Sequence, residues 1–249
     1  MKLSELKNYL DSFLEIQKFK SDRFNGLKVK GCSEVSRLGF AANCTFQVIA
    51  KAIKNKADFL LVHHGGWKET DSEMAKQKWD RLRNKNISLY IAHASLDGNK
   101  QFGTSKTLAD LLNLNNQKSF GFYHGGFAGV CGTIKPVSLN TLKKSVEKKL
   151  KTRAKAFKNN NKGGRRVAIV AGGAGGITPK FLKEAKRLNC DTFIGGSAEI
   201  FQAIYAKENK INLLLAGHTA TEQPAMEKFA KHLGKKFGIK IIQLKEERF

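Results

Sequence analysis

The chain reads as an α/β protein of two linked lobes with parallel or mixed sheets, and three observations predict it. Apolar runs of strand length alternate with segments of helical periodicity along the whole sequence. Several of those runs, such as "DFLLV" and "INLLLAG", are apolar without alternation, the pattern of a strand covered on both faces. The rhythm also occurs twice, with a glycine-rich break at "GFYHGGFAG" between the two series.

Taken in order, "MKLSELKNYLDSFLEI" places Leu3, Leu6, Leu10, Phe13 and Leu14 on one face of an amphipathic helix. It lacks the basic region and continuous apolar core of a signal peptide, and no run reaches the roughly 20 apolar residues of a membrane span. "RLGFAA" reads as a strand, Phe46 to Lys54 as a helix, "DFLLV" as a strand and "EMAKQKWDRLRNKN" as a helix. "ISLYIA" and the helix "SKTLADLL" complete the first series. The second runs "GVCGTI", a helix from Leu139 to Phe157, "RVAIV", the helix "PKFLKEAKRLN" with Thr178 as N-cap and Pro179 at its first position, "DTFIG", the helix "AEIFQAIYAKEN", "INLLLAG", and a final helix before "IKIIQL". The expected lobes are residues 1–124 and 125–249, with the last elements able to return to the first lobe.

Of 249 residues, 45 are Lys or Arg and 21 Asp or Glu, so the chain carries +24. Between Lys143 and Arg166 eleven basic residues stand against one acidic residue. That segment suits either a solvated face or a contact with nucleic-acid phosphates or anionic lipid heads. Cys32, Cys44, Cys131 and Cys190 are widely spaced, which argues against a disulfide framework or a zinc finger and for reduced thiols in the cytoplasm. "VAIVAGGAGGITPKF" is a strand, a glycine-rich turn and a helix; it fits an anion at the helix N-terminus or tight packing equally well. His124, in "YHGGF", has no neighbouring ligand candidate and is expected to be a loop residue.

Three apolar strands end in chemistry. "DFLLVHHGG" ends in His63 and His64, "ISLYIAHASLD" in His93 with Asp97 four residues on, and "INLLLAGHTATE" in His218 with Glu222 four residues on. Ligands in parallel sheets bind beyond the carboxyl ends of the strands, so adjacent strands would gather these six residues in one cleft. Imidazole and carboxylate donors suit zinc, manganese, iron, nickel or cobalt, and six exceed the needs of one tetrahedral ion. Two ions sharing a carboxylate would hold an anionic substrate and activate water. The alternative from the residues alone is that these are core or loop histidines.

"LLVHHGGWK", "LYIAHASLD" and "LAGHTATEQPAME" resemble the three signature segments of the Nif-three-like dinuclear metal protein family, whose members carry the label GTP cyclohydrolase I type 2 homologue. The opening helix, "FNGLKVKG" and "VAIVAGGAGG" follow the same order, so the resemblance covers essentially the whole chain in a short form without an inserted domain. It implies that His63, His64, Asp97, His218 and Glu222 are metal ligands of two divalent ions in the cleft between the lobes. Glu222 is then the bridge, and His93 a nearby catalytic or substrate-facing group. It also implies a homohexameric ring. Gly65, Asn43 and the "GGSAE" at Gly195 depart from the family pattern, which leaves substrate specificity open. The function expected is a metal-dependent hydrolase of a nucleotide or other phosphate-bearing small molecule. The alternatives are a non-catalytic metal carrier or sensor ring, a nucleic-acid-binding module, or an interaction scaffold.

Overall fold

The computed structural model describes residues 1–66, 72–173 and 178–246. It is an α/β protein of two compact units, Met1–Asn99 with Met226–Glu247, and Lys100–Ala225. The glycine-rich "GFYHGGFAG" lies inside the second unit and does not divide the two, because it forms the turn of a hairpin between two of that unit's strands.

The first unit opens with helix α1 (Leu3–Phe13), whose Leu3, Leu6 and Leu10 are buried. Strands β1 (Gly26–Val29), β2 (Arg37–Asn43), β3 (Phe59–His64) and β4 (Ser88–Ile91) follow. Helices α2 (Phe46–Lys54) and α3 (Ser72–Arg83) connect β2 to β3 and β3 to β4, and a short helix α4 (Ala94–Asp97) follows β4. The Thr45 hydroxyl accepts a hydrogen bond from Val48 N and starts α2, whose Val48, Ile49 and Ala52 turn into the core. The sheet runs β1-β4-β3-β2-β11, with β11 (Lys240–Gln243) returning from the end of the chain. All of its pairings are parallel except that of β1 with β4. β3 is central, and Phe59, Leu60, Leu61 and Val62 are fully buried, which accounts for an apolar run without alternation.

The second unit holds α5 (Thr104–Leu111), β5 (Asn115–Tyr123), β6 (Gly126–Val137), α6 (Leu139–Leu150), β7 (Lys155–Phe157), β8 (Gly164–Val170), α7 (Lys180–Arg187), β9 (Thr192–Gly195), α8 (Ile200–Glu208) and β10 (Asn212–Leu215). Helix α9 (His218–Phe237) begins here, and the chain passes to the first unit between its residues Ala225 and Met226. The mixed sheet runs β5-β6-β8-β9-β10-β7, with β8, β9 and β10 mutually parallel. Successive strand residues feed two cores. Val167, Ile169, Ile194 and Leu214 pack with Leu108, Leu142 and Val146 on one side, while Ala168, Val170, Phe193 and Leu213 pack with Phe181, Leu182 and Ala185 on the other.

Two local expectations are corrected. The helix from Leu139 ends at Leu150 because Lys151 adopts a left-handed conformation, and Lys155–Phe157 becomes the edge strand β7 on β10. Helix α7 starts at Lys180 with Pro179 in the cap position, one residue later than Thr178 as N-cap implies. β1 and β5 are strands without a clean apolar pattern; β5 is a mostly exposed edge. Among the described residues no helix is long and apolar enough to cross a membrane.

Candidate metal centre

In the first unit, β3 ends in His63, fully buried, and His64, half-buried, while β4 delivers His93 just beyond its end. The three rings cluster: His63 lies 4.7 Å from His64 and 5.2 Å from His93, and His64 lies 5.4 Å from His93, between centroids. Each ring is held by an oxygen at Nδ1. His63 Nδ1 is 2.6 Å from the Ala92 carbonyl, His64 Nδ1 is 2.8 Å from Asn43 Oδ1, and His93 Nδ1 is 2.9 Å from Asp22 Oδ2. A carbonyl and a carboxylate only accept, so the neutral rings of His63 and His93 carry their proton on Nδ1 and leave Nε2 unprotonated.

One donor atom from each of the three histidines lies within 4.8 Å of the others. Crowded lone pairs repel unless a cation sits among them, and metal-bound histidines commonly give their other N–H to an oxygen in this way. Asp97, the last residue of α4, adds a carboxylate 3.5 Å from His63 Nε2. The tight turn that returns it is pinned by Asn25, whose Oδ1 accepts from His93 N, Ser95 N and the Ser95 hydroxyl. Asp22 completes the clamp by accepting from Ala94 N and from the Asn25 amide. Burial alone would raise the Asp22 carboxyl, but the His93 hydrogen bond and charge and the Phe24 and Ala94 N–H groups outweigh it and bring it down to about 2.

In the second unit, His218 opens α9 and Glu222 stands one helical turn on. Their Nε2 and Oε1 atoms are 3.1 Å apart, and Glu222 is only 3% exposed. The two glycines after β8 make room for them. A Cβ on Gly172 would fall 2.2 Å from Glu222 Oε1 and 3.1 Å from His218 Nε2, and one on Gly173 would fall 3.3 Å from His218 Cε1. Thr221 ties the helix start to this turn: its hydroxyl accepts from Gly172 N and donates to the His218 carbonyl. Gly196, after β9, has its own Cβ position filled by Gly172 O, His218 Cα and Thr221 Oγ1. Within the described part of "VAIVAGGAGG", small residues therefore serve close packing against His218 and Glu222; residues 174–177 lie outside it.

The structure thus gathers His63, His64, His93 and Asp97 in one unit, and His218 with Glu222 in the other. These imidazole and carboxylate sets fit a divalent transition ion and do not fit the all-oxygen shell that calcium or magnesium prefers. Asp22, Asn25 and Gly172 are neighbours of these side chains that strand-end reasoning missed; an Asx turn in "SDRFNG" is the one sequence cue to the first two. His124 sits in the β5–β6 turn with positive φ, its ring 4.2 Å from Tyr123.

The family model described as Duf34/NIF3 (NGG1p interacting factor 3) matches residues 1–248. A protein named GTP cyclohydrolase 1 type 2 homolog from Pyrococcus horikoshii is 31% identical over 247 residues, covering 97% of each chain. Among solved structures, TTHA1606 from Thermus thermophilus superposes with a TM-score of 0.87 at 26% identity, covering 99% of both chains. Reduced HcgD from Methanocaldococcus jannaschii superposes with a TM-score of 0.84, also at 26% identity, over 99% of this chain and 98% of that one. With the match running over both sheets and every strand-end histidine, the chain belongs to the DUF34/NIF3 family.

Proposed function

We propose that His63, His64, Asp97, His218 and Glu222 together hold two divalent transition-metal ions, with Glu222 as the shared carboxylate, and that the protein is a metal-dependent hydrolase. The observation that carries this is the pair of β3 histidines, His63 and His64, each gripped at Nδ1 by an oxygen, with the His93 ring and the Asp97 carboxylate beside them. In the second unit His218 and Glu222 are two donors, fewer than the three or four protein ligands usual for one ion. Bound divalent ions of this kind polarise a phosphoryl or carbonyl oxygen and lower the pKa of water. His93, backed by the Asp22 carboxylate, is the residue to take up and return the proton. Two divalent ions against the Asp97 and Glu222 carboxylates would leave a formal excess of about +2, which favours an anionic substrate. The name borne by the Pyrococcus horikoshii relative makes a nucleotide the first to test.

Elemental analysis of the purified chain, His64→Ala and Glu222→Ala tests the ligands: close to two ions per chain are expected in the first and fewer in both variants. Equal metal in all three overturns the assignment. A screen of nucleoside triphosphates, nucleotides and phosphoesters with zinc, manganese, nickel, cobalt and ferrous iron tests catalysis. A metal-loaded chain inactive across that panel replaces the hydrolase reading with a metal-carrier or sensor reading. Self-assembly belongs to the same proposal: Ile200 and Phe201 on α8 are 67% and 59% exposed, which suits an interface between copies in a homohexamer. A monomer mass across micromolar concentrations in sedimentation removes it.

A further inference from the structure

The last described residue of the chain reaches the first unit's histidines through one intermediary. After β11, Leu244 N still bonds the Phe40 carbonyl, continuing the ladder on β2. The backbone pairing then gives way to a side chain. Glu246 Oε1 accepts from Ala42 N at 2.6 Å, and Oε2 accepts from Asn43 N at 3.1 Å and from Asn43 Nδ2 at 2.9 Å. A carboxylate only accepts, so the group of the Asn43 amide that faces it is the NH2. The other end, Oδ1, is then the atom 2.8 Å from His64 Nδ1, and that nitrogen must carry the proton.

We infer that Glu246 is a positioning residue: acting through Asn43, it holds His64 in the Nδ1–H tautomer and so keeps Nε2 unprotonated. Without Glu246 the Asn43 NH2 loses that acceptor, which weakens the preference for Oδ1 toward His64 Nδ1 and lets the proton shift toward Nε2. His63 needs no such device, because its Nδ1 faces a backbone carbonyl that has no second orientation. The value of this tautomer to metal binding rests on the proposed metal-centre reading; the tautomer itself does not.

The test uses the full ¹⁵N-labelled chain after chelator treatment, with long-range ¹H–¹⁵N correlation of its six histidines. His64 in the wild type is expected to show a pyrrole-type Nδ1 and a pyridine-type Nε2. Glu246→Ala and Asn43→Ala are expected to give averaged nitrogen shifts at His64 while leaving His63 unchanged. Glu246→Gln, which retains an acceptor oxygen, is expected to restore the wild-type pattern. Titration with Zn²⁺ alone is expected to show affinity about 10- to 100-fold lower in Glu246→Ala, the usual loss when a ligand's outer hydrogen bond is removed. If Glu246→Ala fails to fold, Asn43→Ala decides, because it leaves the Glu246 bonds to the Ala42 and residue-43 backbone in place. A wild-type His64 pattern in both alanine variants overturns the inference. A wild type that binds no Zn²⁺ refutes the metal reading instead, and the shifts of metal-free His64 still settle the role of Glu246.

Discussion

Gly172 concentrates two demands on one residue: φ of +73° and a Cβ position already taken by Glu222 Oε1. Gly172→Ala must pay about 1 to 2 kcal/mol for the left-handed backbone alone, before the Glu222 carboxylate is displaced. A lower melting temperature together with reduced metal retention is expected; Gly173→Ala, whose Cβ would lie 3.3 Å from His218 Cε1 and 3.7 Å from its Nδ1, should lose less of both. Asp22 makes the same point by charge. It is 4% exposed and accepts from Phe24 N, Ala94 N, the Asn25 amide and His93, so Asp22→Ala leaves several buried donors without an acceptor. A loss of at least about 1 to 3 kcal/mol is expected in denaturant titration, the cost of leaving a buried donor unsatisfied. Strand-end histidines are legible in the sequence because an apolar run that stops at His is visible along the chain. Their Nδ1 partners are not. Asp22 meets His93 across 71 residues and Glu246 meets Asn43 across 203, and no periodicity encodes such pairings.

At the scale of elements, buried parallel strands and amphipathic helices could be read because burial on both faces or on one stripe leaves a composition signal. β2, α2 and β3 are of this kind. β5 could not, since an edge strand with mostly exposed side chains reads as a loop, and the overlong helix from Leu139 reflects a segment with no glycine or proline at its true end. The tie between α1 and β4 was equally hidden. The Tyr90 hydroxyl donates to Asp11 Oδ1 at 2.8 Å inside the first unit. Burial, then the Asp11 charge and hydrogen bond, push the Tyr90 phenol far above its ordinary value of 10.0. A folded-state pKa raised above the unfolded one contributes stability that is full below about pH 10 and lost as pH rises beyond it. Tyr90→Phe should therefore flatten the alkaline loss of stability. In a 295 nm titration the folded wild type and the folded variant should ionise the same number of tyrosines. One fewer in the variant would show that Tyr90 titrates in place.

For the whole molecule, the division into units makes unequal demands on the chain. The second unit is contiguous: its six strands and both of its apolar cores come entirely from residues 100–225. The first is not. β2 requires β11 along its edge, and Met226, Phe229, Ala230 and Leu233 of α9, all fully buried, come from the far end of the chain. A fragment of residues 100–225 is therefore expected to melt cooperatively, and one of residues 1–99 is not, because it has an open strand edge and an uncovered core. The first fragment should still lose one feature. It keeps only His218 to Ala225 of α9, with Pro224 withdrawing an N–H from an already short ladder, and isolated helices of that length are marginal. The His218 and Glu222 spacing then depends on residues that belong to the other unit. Circular dichroism and Zn²⁺ titration of the fragment check this: native-like sheet signal with weak metal binding is expected. Metal affinity equal to that of the full chain would show that the second unit's pair is a complete site by itself.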